Sequence, residues 1–310
     1  MIKYTFLLPA YKATFLKAAI NSILNQTYRD FSLIVSDDCS PEDLYSIVNS
    51  FHDERVTYIR NEKNLGGTNL VNHWNKLVDM CSSDYLILAS DDDLYEPTFL
   101  EDVDKLVCKY PKVDFIRARI QMIDENEEVF WEDIHYEELL SELKFCCYNP
   151  NTCVANNVFK TSALKQIGGF ITFPLAWGSD LATEMAMSVN GVANTDKVLF
   201  KFRQSGINIS SLKKNKKADL AKLNAVFEFH EWANIFIPNI KYDDNQLNRD
   251  FIDKIIIRVN DVVFAQCLSS SWALSFSKYI SLFFKLKKEG YFYKRSVAAC
   301  SIRYFLSRFK

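Results

Sequence analysis

The stretch Tyr85-Leu86-Ile87-Leu88-Ala89-Ser90-Asp91-Asp92-Asp93 decides the fold. Five apolar residues without alternation mark a strand buried on both faces, as in parallel sheets covered by helices, and this one runs directly into three carboxylates. Towards the N-terminus, Leu70, Val71, Trp74, Leu77 and Val78 recur at helical spacing, and Val56 to Ile59 reads as a strand. Leu44, Ile47, Val48 and Phe51 mark a helix after Pro41, a residue suited to a first helical turn. Before them stand a strand at Phe31 to Val35, a helix through Leu16, Ala19, Ile20, Ile23 and Leu24, and an apolar strand at Tyr4 to Leu8. Alternation of strand and helix with short connections predicts an α/β domain with a mostly parallel sheet flanked by helices.

Towards the C-terminus, a helix with Leu100, Val103, Leu106 and Val107 follows Pro97, a strand covers Val113 to Ile116, and the acidic segment from Asp124 to Glu142 is weakly periodic. Another strand is expected at Val198 to Phe202. From about Lys213 the pattern turns helical, with Leu220, Leu223 and Phe227 on one stripe and Phe251, Ile255, Val259 and Val262 on another. The polar run after Ser211 places a boundary there, giving a first domain over 1–212, with halves meeting near residue 110, and a helical region over 213–310.

A chain of 310 residues with 48% hydrophobic and 14% aromatic residues is neither disordered nor a small stapled scaffold. Its 37 Lys and Arg against 39 Asp and Glu argue against a general nucleic-acid binder, which needs a strong excess of cations. The charge is uneven: from Lys278 onward nine cations face one acid, Glu289, so this segment carries +8 and the rest −10. The eight cysteines show no C-x-x-C pair and no zinc spacing, so neither a structural zinc nor a disulfide framework is expected. The N-terminal apolar run stops at Pro9 without a cleavage site, and the uncharged stretch Val262 to Ser277 is shorter than the roughly 20 residues a bilayer crossing requires. A cytoplasmic protein without a membrane span is the expectation.

Ligands of such sheets bind outside the carboxyl ends of the strands. Pro9-Ala10-Tyr11, Asp37-Asp38-Cys39-Ser40 and Ser90-Asp91-Asp92-Asp93 should therefore face one crevice. Carboxylates converging there repel one another and a phosphate alike unless a cation lies between them. Clustered oxygen ligands suit Mg²⁺ or Mn²⁺, whose coordination substrate phosphates complete, so a nucleoside diphosphate with a divalent metal is the economical reading. The plain alternative makes Asp93 a cap on the helix near Pro97 and Asp37-Asp38 turn residues before Pro41.

The ordered set Pro9-x-Tyr11, Ser22 and Gln26 on a helix, Asp37-Asp38-x-Ser40, Asn64-x-Gly66, Asn75, and Tyr85 through Asp91-Asp92-Asp93 to Pro97 resembles the family 2 glycosyltransferases with a GT-A fold, over about residues 1–212. The resemblance implies that Pro9, Tyr11 and Asp38 meet the base and ribose, Asp38 at a uracil-like edge, and that Asn64, Gly66 and Asn75 belong to the same nucleotide-sugar site. The first half of the domain would hold the sugar donor and the second the acceptor. The family's Asp-x-Asp-Asp motif reads Ser90-Asp91-Asp92-Asp93 here, which makes Asp92 the metal-binding residue, brings Asp91 towards the donor ribose or sugar, and leaves Asp93 as a second ligand or a cap. Cys39 stands where glycine is common, which suits only a position without positive φ.

Farther on, Ile167-Gly168-Gly169-Phe170 and Trp177-Gly178-Ser179-Asp180 resemble the family's Gly-Gly-Phe segment and the acidic pair opening a helix, so Asp180 becomes the expected catalytic base. An N-cap on a helix over Leu181 to Val189 is its plainer role. Arg203 to Ser210 resembles the loop that closes over the diphosphate, with Gln204 near the expected His, which puts weight on Arg203 and Ser210. The implied activity is inverting, metal-dependent transfer with Mn²⁺ or Mg²⁺ from a nucleotide-diphosphate sugar, a UDP-sugar, to a glycan or lipid-linked saccharide. Trp131 and Tyr136 are candidates for stacking on an acceptor sugar, while the isolated His52, His73, His135 and His230 have no assigned chemistry. The basic, aromatic tail from Lys278 reads either as an amphipathic contact with an anionic membrane face or as a segment packing on the acidic body. The competing readings are a nucleotidyltransferase, whose Gly-rich phosphate loop is missing after the first strand, and a non-catalytic nucleotide- or glycan-binding module.

Overall fold

Strand β1 (Tyr4–Ala10) lies between β2 (Phe31–Asp37) and β4 (Tyr85–Leu88), parallel to both, and β2 pairs parallel with β3 (Val56–Arg60). The computed structural model describes residues 3–205 and 215–270, with single positions at 275, 277, 280, 281 and 284. Ser210 and nearly all of the basic tail lie outside the described residues. Helices α1 (Leu16–Leu24), α2 (Leu44–Asn49) and α3 (Gly66–Met80) make the crossovers, as the apolar spacing predicts. Asp43, rather than the turn at Pro41, caps α2 by accepting from the Ser46 amide at 3.0 Å.

After β4 the chain makes a two-residue strand β5 (Leu94–Tyr95), then α4 (Phe99–Lys109) and the long β6 (Phe115–Ile123). The segment read as irregular holds β7 (Val129–Glu132), β8 (Leu139–Leu140) and α5 (Glu142–Tyr148), followed by β9 (Asn157–Lys160), α6 (Thr161–Gln166), α7 (Ser179–Met187) and β10 (Val192–Arg203). Among the described residues, ten strands form one sheet in the order β3-β2-β1-β4-β9-β6-β10-β5, with β7 on β6 and β8 on β10. Strand β9 runs antiparallel to β4 and β6, so the second half of the sheet is mixed. Phe6, Phe99 and Phe200 pack around Tyr95 with ring centroids 5.1, 4.8 and 5.1 Å away, which ties β1, α4 and β10 to the short β5.

The chain divides into two compact units, Met1–Thr172 with Ser179–Ser211, and Phe173–Gly178 with Leu212–Lys310. In the second, α8 (Lys216–Phe236) is capped by Asn215 and packs on α9 (Gln246–Ser270). Trp232 stacks between Phe229 and Phe236 at 6.0 and 4.9 Å. Residues 173–178, read from sequence as part of the first domain, fold with this unit because Phe173 packs edge-on against Phe229 and the Lys222 amine lies 4.3 Å from the Trp177 ring centre. The apolar stripe of α9 also corrects by one residue: Val262 is 38% exposed and Val263, four residues beyond Val259, is buried. Among the described residues no helix is long and apolar enough to cross a membrane, and Cys39, Cys81, Cys108, Cys146, Cys147 and Cys153 are free thiols.

Candidate active site

The carboxyl ends of β1, β2 and β4 are joined by side chains. Asp91 Oδ2 accepts from the amides of Tyr11 and Lys12 at 2.8 and 2.9 Å, which fastens the acidic turn to the loop after β1. Ser40 Oγ donates to the Tyr11 carbonyl at 2.7 Å, and the Asp38 amide donates to the Ala10 carbonyl at 2.9 Å. Tyr11 is left 41% exposed at the mouth of this arrangement, and Pro9 is half-buried in β1 opposite Ser36.

The two adjacent acids after β2 divide their work. Asp37 organises the turn, its Oδ1 accepting from the Ser40 amide at 2.7 Å and its Oδ2 from the Tyr58 hydroxyl at 2.5 Å and from Arg60. Asp38, 4% exposed, turns to the start of α3, where its Oδ1 accepts from Asn61 Nδ2 and the Leu65 amide, both at 2.9 Å, and its Oδ2 from the Gly66 amide at 2.7 Å. A Cβ at Gly66 would stand 3.0 Å from Asp38 Oδ2, so the close approach itself selects glycine. Asn64 lies half-buried beside this contact. Cys39 has φ +57°, so the position does use the left-handed region that the sequence reading required it to avoid.

Several expected ligand contacts have other tasks. Asn75 Oδ1 accepts from the Phe170 amide at 2.7 Å and its Nδ2 donates to the Phe170 carbonyl at 3.0 Å, so its whole amide clamps the Gly-Gly-Phe turn. Arg203 is 1% exposed; its Nε donates to the Asp92 carbonyl at 2.8 Å and Nη2 to Glu127 at 2.9 Å, while its guanidinium lies 4.3 Å from the Phe15 ring centre. Fixed inside the protein, it organises the acidic turn. Asp93, 2% exposed, accepts from the Arg203 amide at 2.8 Å, and β5 separates it from α4, so it is neither a helix cap nor an open ligand. Burial first, and then the charge of Asp92, push its pKa well above the usual carboxylate range. Tyr136 faces the Arg117 guanidinium at 5.3 Å and Trp131 packs on the core, and both rings remain half-buried.

Asp180 lies in the first turn of α7, its Oδ1 accepting from the Leu181 amide at 2.9 Å. Burial raises its pKa despite that bond, which makes it a stronger base than an exposed aspartate. One turn on, the fully buried Glu184 accepts at Oε1 from Thr152 Oγ1 at 3.1 Å and Asn157 Nδ2 at 2.6 Å. Burial and then the charge of Asp180 push Glu184 up to about 8. The thiol of the half-buried Cys153 is raised by burial and then by the charges of Asp93 and Glu184. Sequence reasoning missed Asn61, His73 and Glu184. Asn61 follows β3, and the strand-end rule that found the others would have found it too.

Against known proteins, residues 5–168 match the family model described as Glycosyl transferase family 2. The chain belongs to that family. Among the curated members, a glycosyltransferase of Methanocaldococcus jannaschii, MJ1057, is 32% identical over 158 residues, covering 49% of this chain and 53% of that protein. A GalNAc(5)-diNAcBac-PP-undecaprenol beta-1,3-glucosyltransferase of Campylobacter jejuni is 33% identical over 96 residues, 30% of each chain. The chain spans about half the length of the first such relatives it matches. Two solved structures share the GT-A fold: Staphylococcus aureus TarS 1–349 in complex with UDP-GlcNAc (TM-score 0.61, 18% identity, 94% of this chain and 93% of that one) and the Pyrobaculum calidifontis mannosyltransferase PcManGT with GDP-Man and Mn²⁺ (TM-score 0.55, 13% identity, 98% and 87%).

Members of a family with this fold commonly use a divalent metal. Among the described residues no three His, Cys, Asp or Glu side chains converge to hold a metal by themselves. The donor set still fits a hard cation of the kind that takes one or two protein carboxylates and completes its shell with phosphate oxygens and water. Asp92, to which Ser90 Oγ donates, is the carboxylate suited to it, with Asp91 alongside.

Proposed function

We propose that the protein is an inverting, metal-dependent glycosyltransferase that moves a sugar from a nucleoside-diphosphate sugar, a UDP-sugar, to a saccharide or lipid-linked saccharide acceptor. The observation that carries this reading is the joining of three parallel strand ends through Asp91, Ser40 and the Asp38 amide, which holds Asp38, Asp91 and Asp92 at one end of the sheet. The undecaprenol-linked substrate in the name of the Campylobacter relative supports the lipid-linked alternative for the acceptor. Residues 1–110 would hold the sugar donor and 111–212 the acceptor, with 213–310 as a separate helical region.

In this reading the acceptor hydroxyl oxygen attacks the anomeric carbon as the bond to the diphosphate breaks. Asp180 takes the hydroxyl proton, for which its raised pKa suits it. A divalent cation bound through Asp92 would offset the charge of the departing diphosphate. Attack opposite the leaving group inverts the anomeric configuration.

Asp180→Asn should abolish transfer while UDP-sugar still raises the melting temperature, whereas Asp92→Ala should weaken binding of the sugar donor in Mn²⁺. Transfer at the wild-type rate by Asp180→Asn would remove the base. Failure of every UDP-, GDP- and dTDP-sugar to stabilise the protein, with or without Mn²⁺, would overturn the function itself.

A further inference from the structure

Asp38 offers a carboxylate whose hydrogen-bonding capacity is unequally used. A carboxylate has about four lone-pair positions, two on each oxygen. Oδ1 fills both of its own, with Asn61 Nδ2 and the Leu65 amide each at 2.9 Å. Oδ2 takes one bond, from the Gly66 amide at 2.7 Å.

Asn61 is not free to turn its amide round. Lys76 Nζ, which can only donate, lies 2.7 Å from Asn61 Oδ1, so the NH₂ group must face Asp38. The same NH₂ reaches His73 Nε2 at 3.3 Å, and Ser36 Oγ lies 2.8 Å from that nitrogen. Nε2 is therefore the accepting nitrogen and the ring proton sits on Nδ1, which faces Asp38 Oδ1 at 3.8 Å. Burial lowers the His73 pKa against the pull of Asp38, which favours this neutral ring.

We propose that Asn61, oriented by Lys76 and backed by His73, determines which base the sugar donor carries, by occupying Asp38 Oδ1 and leaving the carboxylate able to receive a single N–H. This inference rests on the reading of Asp38 as the base contact. Uracil and thymine present one edge donor, N3–H, flanked by carbonyls, and match that capacity. Guanine presents N1–H and an amino group side by side, a pair suited to a carboxylate with both oxygens open; here the second donor would be buried without a partner. Adenine and cytosine turn a ring-nitrogen acceptor towards the carboxylate, which repels it. The two fold neighbours carry a uridine and a guanosine nucleotide respectively, so the fold does not choose between them.

The test is calorimetric binding of UDP and GDP in Mn²⁺, which share a diphosphate and differ in the base. The wild type should bind UDP at least about tenfold more tightly than GDP, the factor that one unpaired buried donor implies. Asn61→Ala, which removes the donor and clears the place it held beside Oδ1, should narrow that ratio chiefly by tightening GDP. Asn61→Leu removes the donor but fills that place, so it should narrow the ratio less. Melting curves establish that each variant is folded, and either variant suffices. Equal affinity of the wild type for the two nucleotides, or an unchanged ratio in the folded variants, overturns the inference. If Asp38→Asn weakens UDP while the Asn61 variants keep the ratio, the base contact stands and only the role of Asn61 falls. If Asp38→Asn leaves UDP binding intact, the base contact itself falls.

Discussion

Cys39 sits at φ +57°, where a Cβ crowds the neighbouring carbonyl at a cost of about 1–2 kcal/mol that glycine escapes. Cys39→Gly should therefore raise stability by about 0.5–1 kcal/mol, after the larger entropy that glycine loses on folding, and a denaturation midpoint at or below the wild-type value would refute the strain. A second residue-scale effect lies at Glu184, lifted to about 8 by burial and by Asp180. An acid whose pKa is higher folded than unfolded binds more protons when folded, so its contribution is present at low pH and is lost as pH rises from the ordinary value of 4.5 to about 8. Urea midpoints between pH 5 and 8 should fall more steeply for the wild type than for Glu184→Gln. Equal slopes would mean that Glu184 is ionised throughout.

The turn between α6 and α7 depends on one residue of α3. Gly169 has φ +87°, and a Cβ there would stand 2.5 Å from Asn75 Oδ1, inside the clamp that holds Phe170. The Ile171 amide donates to Thr183 Oγ1 at 2.9 Å, which ties the same turn to α7 and so to Asp180. Gly169→Ala should cost about 2 kcal/mol in denaturant unfolding, combining a disfavoured φ with a displaced amide; a loss within a few tenths of a kcal/mol would show that the clamp yields. The elements of the parallel half were legible because continuous apolar runs and helical spacing coincide there. Strands β5 and β8, two residues each, carry no periodic signal and exist through pairing with β10. The acids at the strand ends were legible as a group, but not their division of labour. Asn75 and Arg203 meet backbone groups 95 and 111 residues away, and nothing in local sequence distinguishes an amide or guanidinium that binds a ligand from one that binds its own chain.

At the scale of the whole molecule the charge is divided between a body of −10 and a segment of +8 that begins at Lys278. If that segment brings the protein to a membrane-bound acceptor, co-sedimentation with phosphatidylserine vesicles should occur at low ionic strength and decline as salt rises, each cation near the surface contributing about 1 kcal/mol. Absence of binding at low salt would leave the cations to complement the acidic body. The acidic turn of the first unit has a different long-range dependence. Arg203 closes β10, yet its amide and Nε hold Asp93 and the Asp92 carbonyl, and the acidic turn is therefore completed from the far end of the unit. During synthesis the chain passes through more than a hundred residues with Asp92 and Asp93 made but not yet held by Arg203. The acidic turn consequently matures late, after β10 has emerged, and a nascent chain halted before Arg203 would hold Asp91 through the Tyr11 and Lys12 amides but leave Asp93 and the Asp92 carbonyl without their partners.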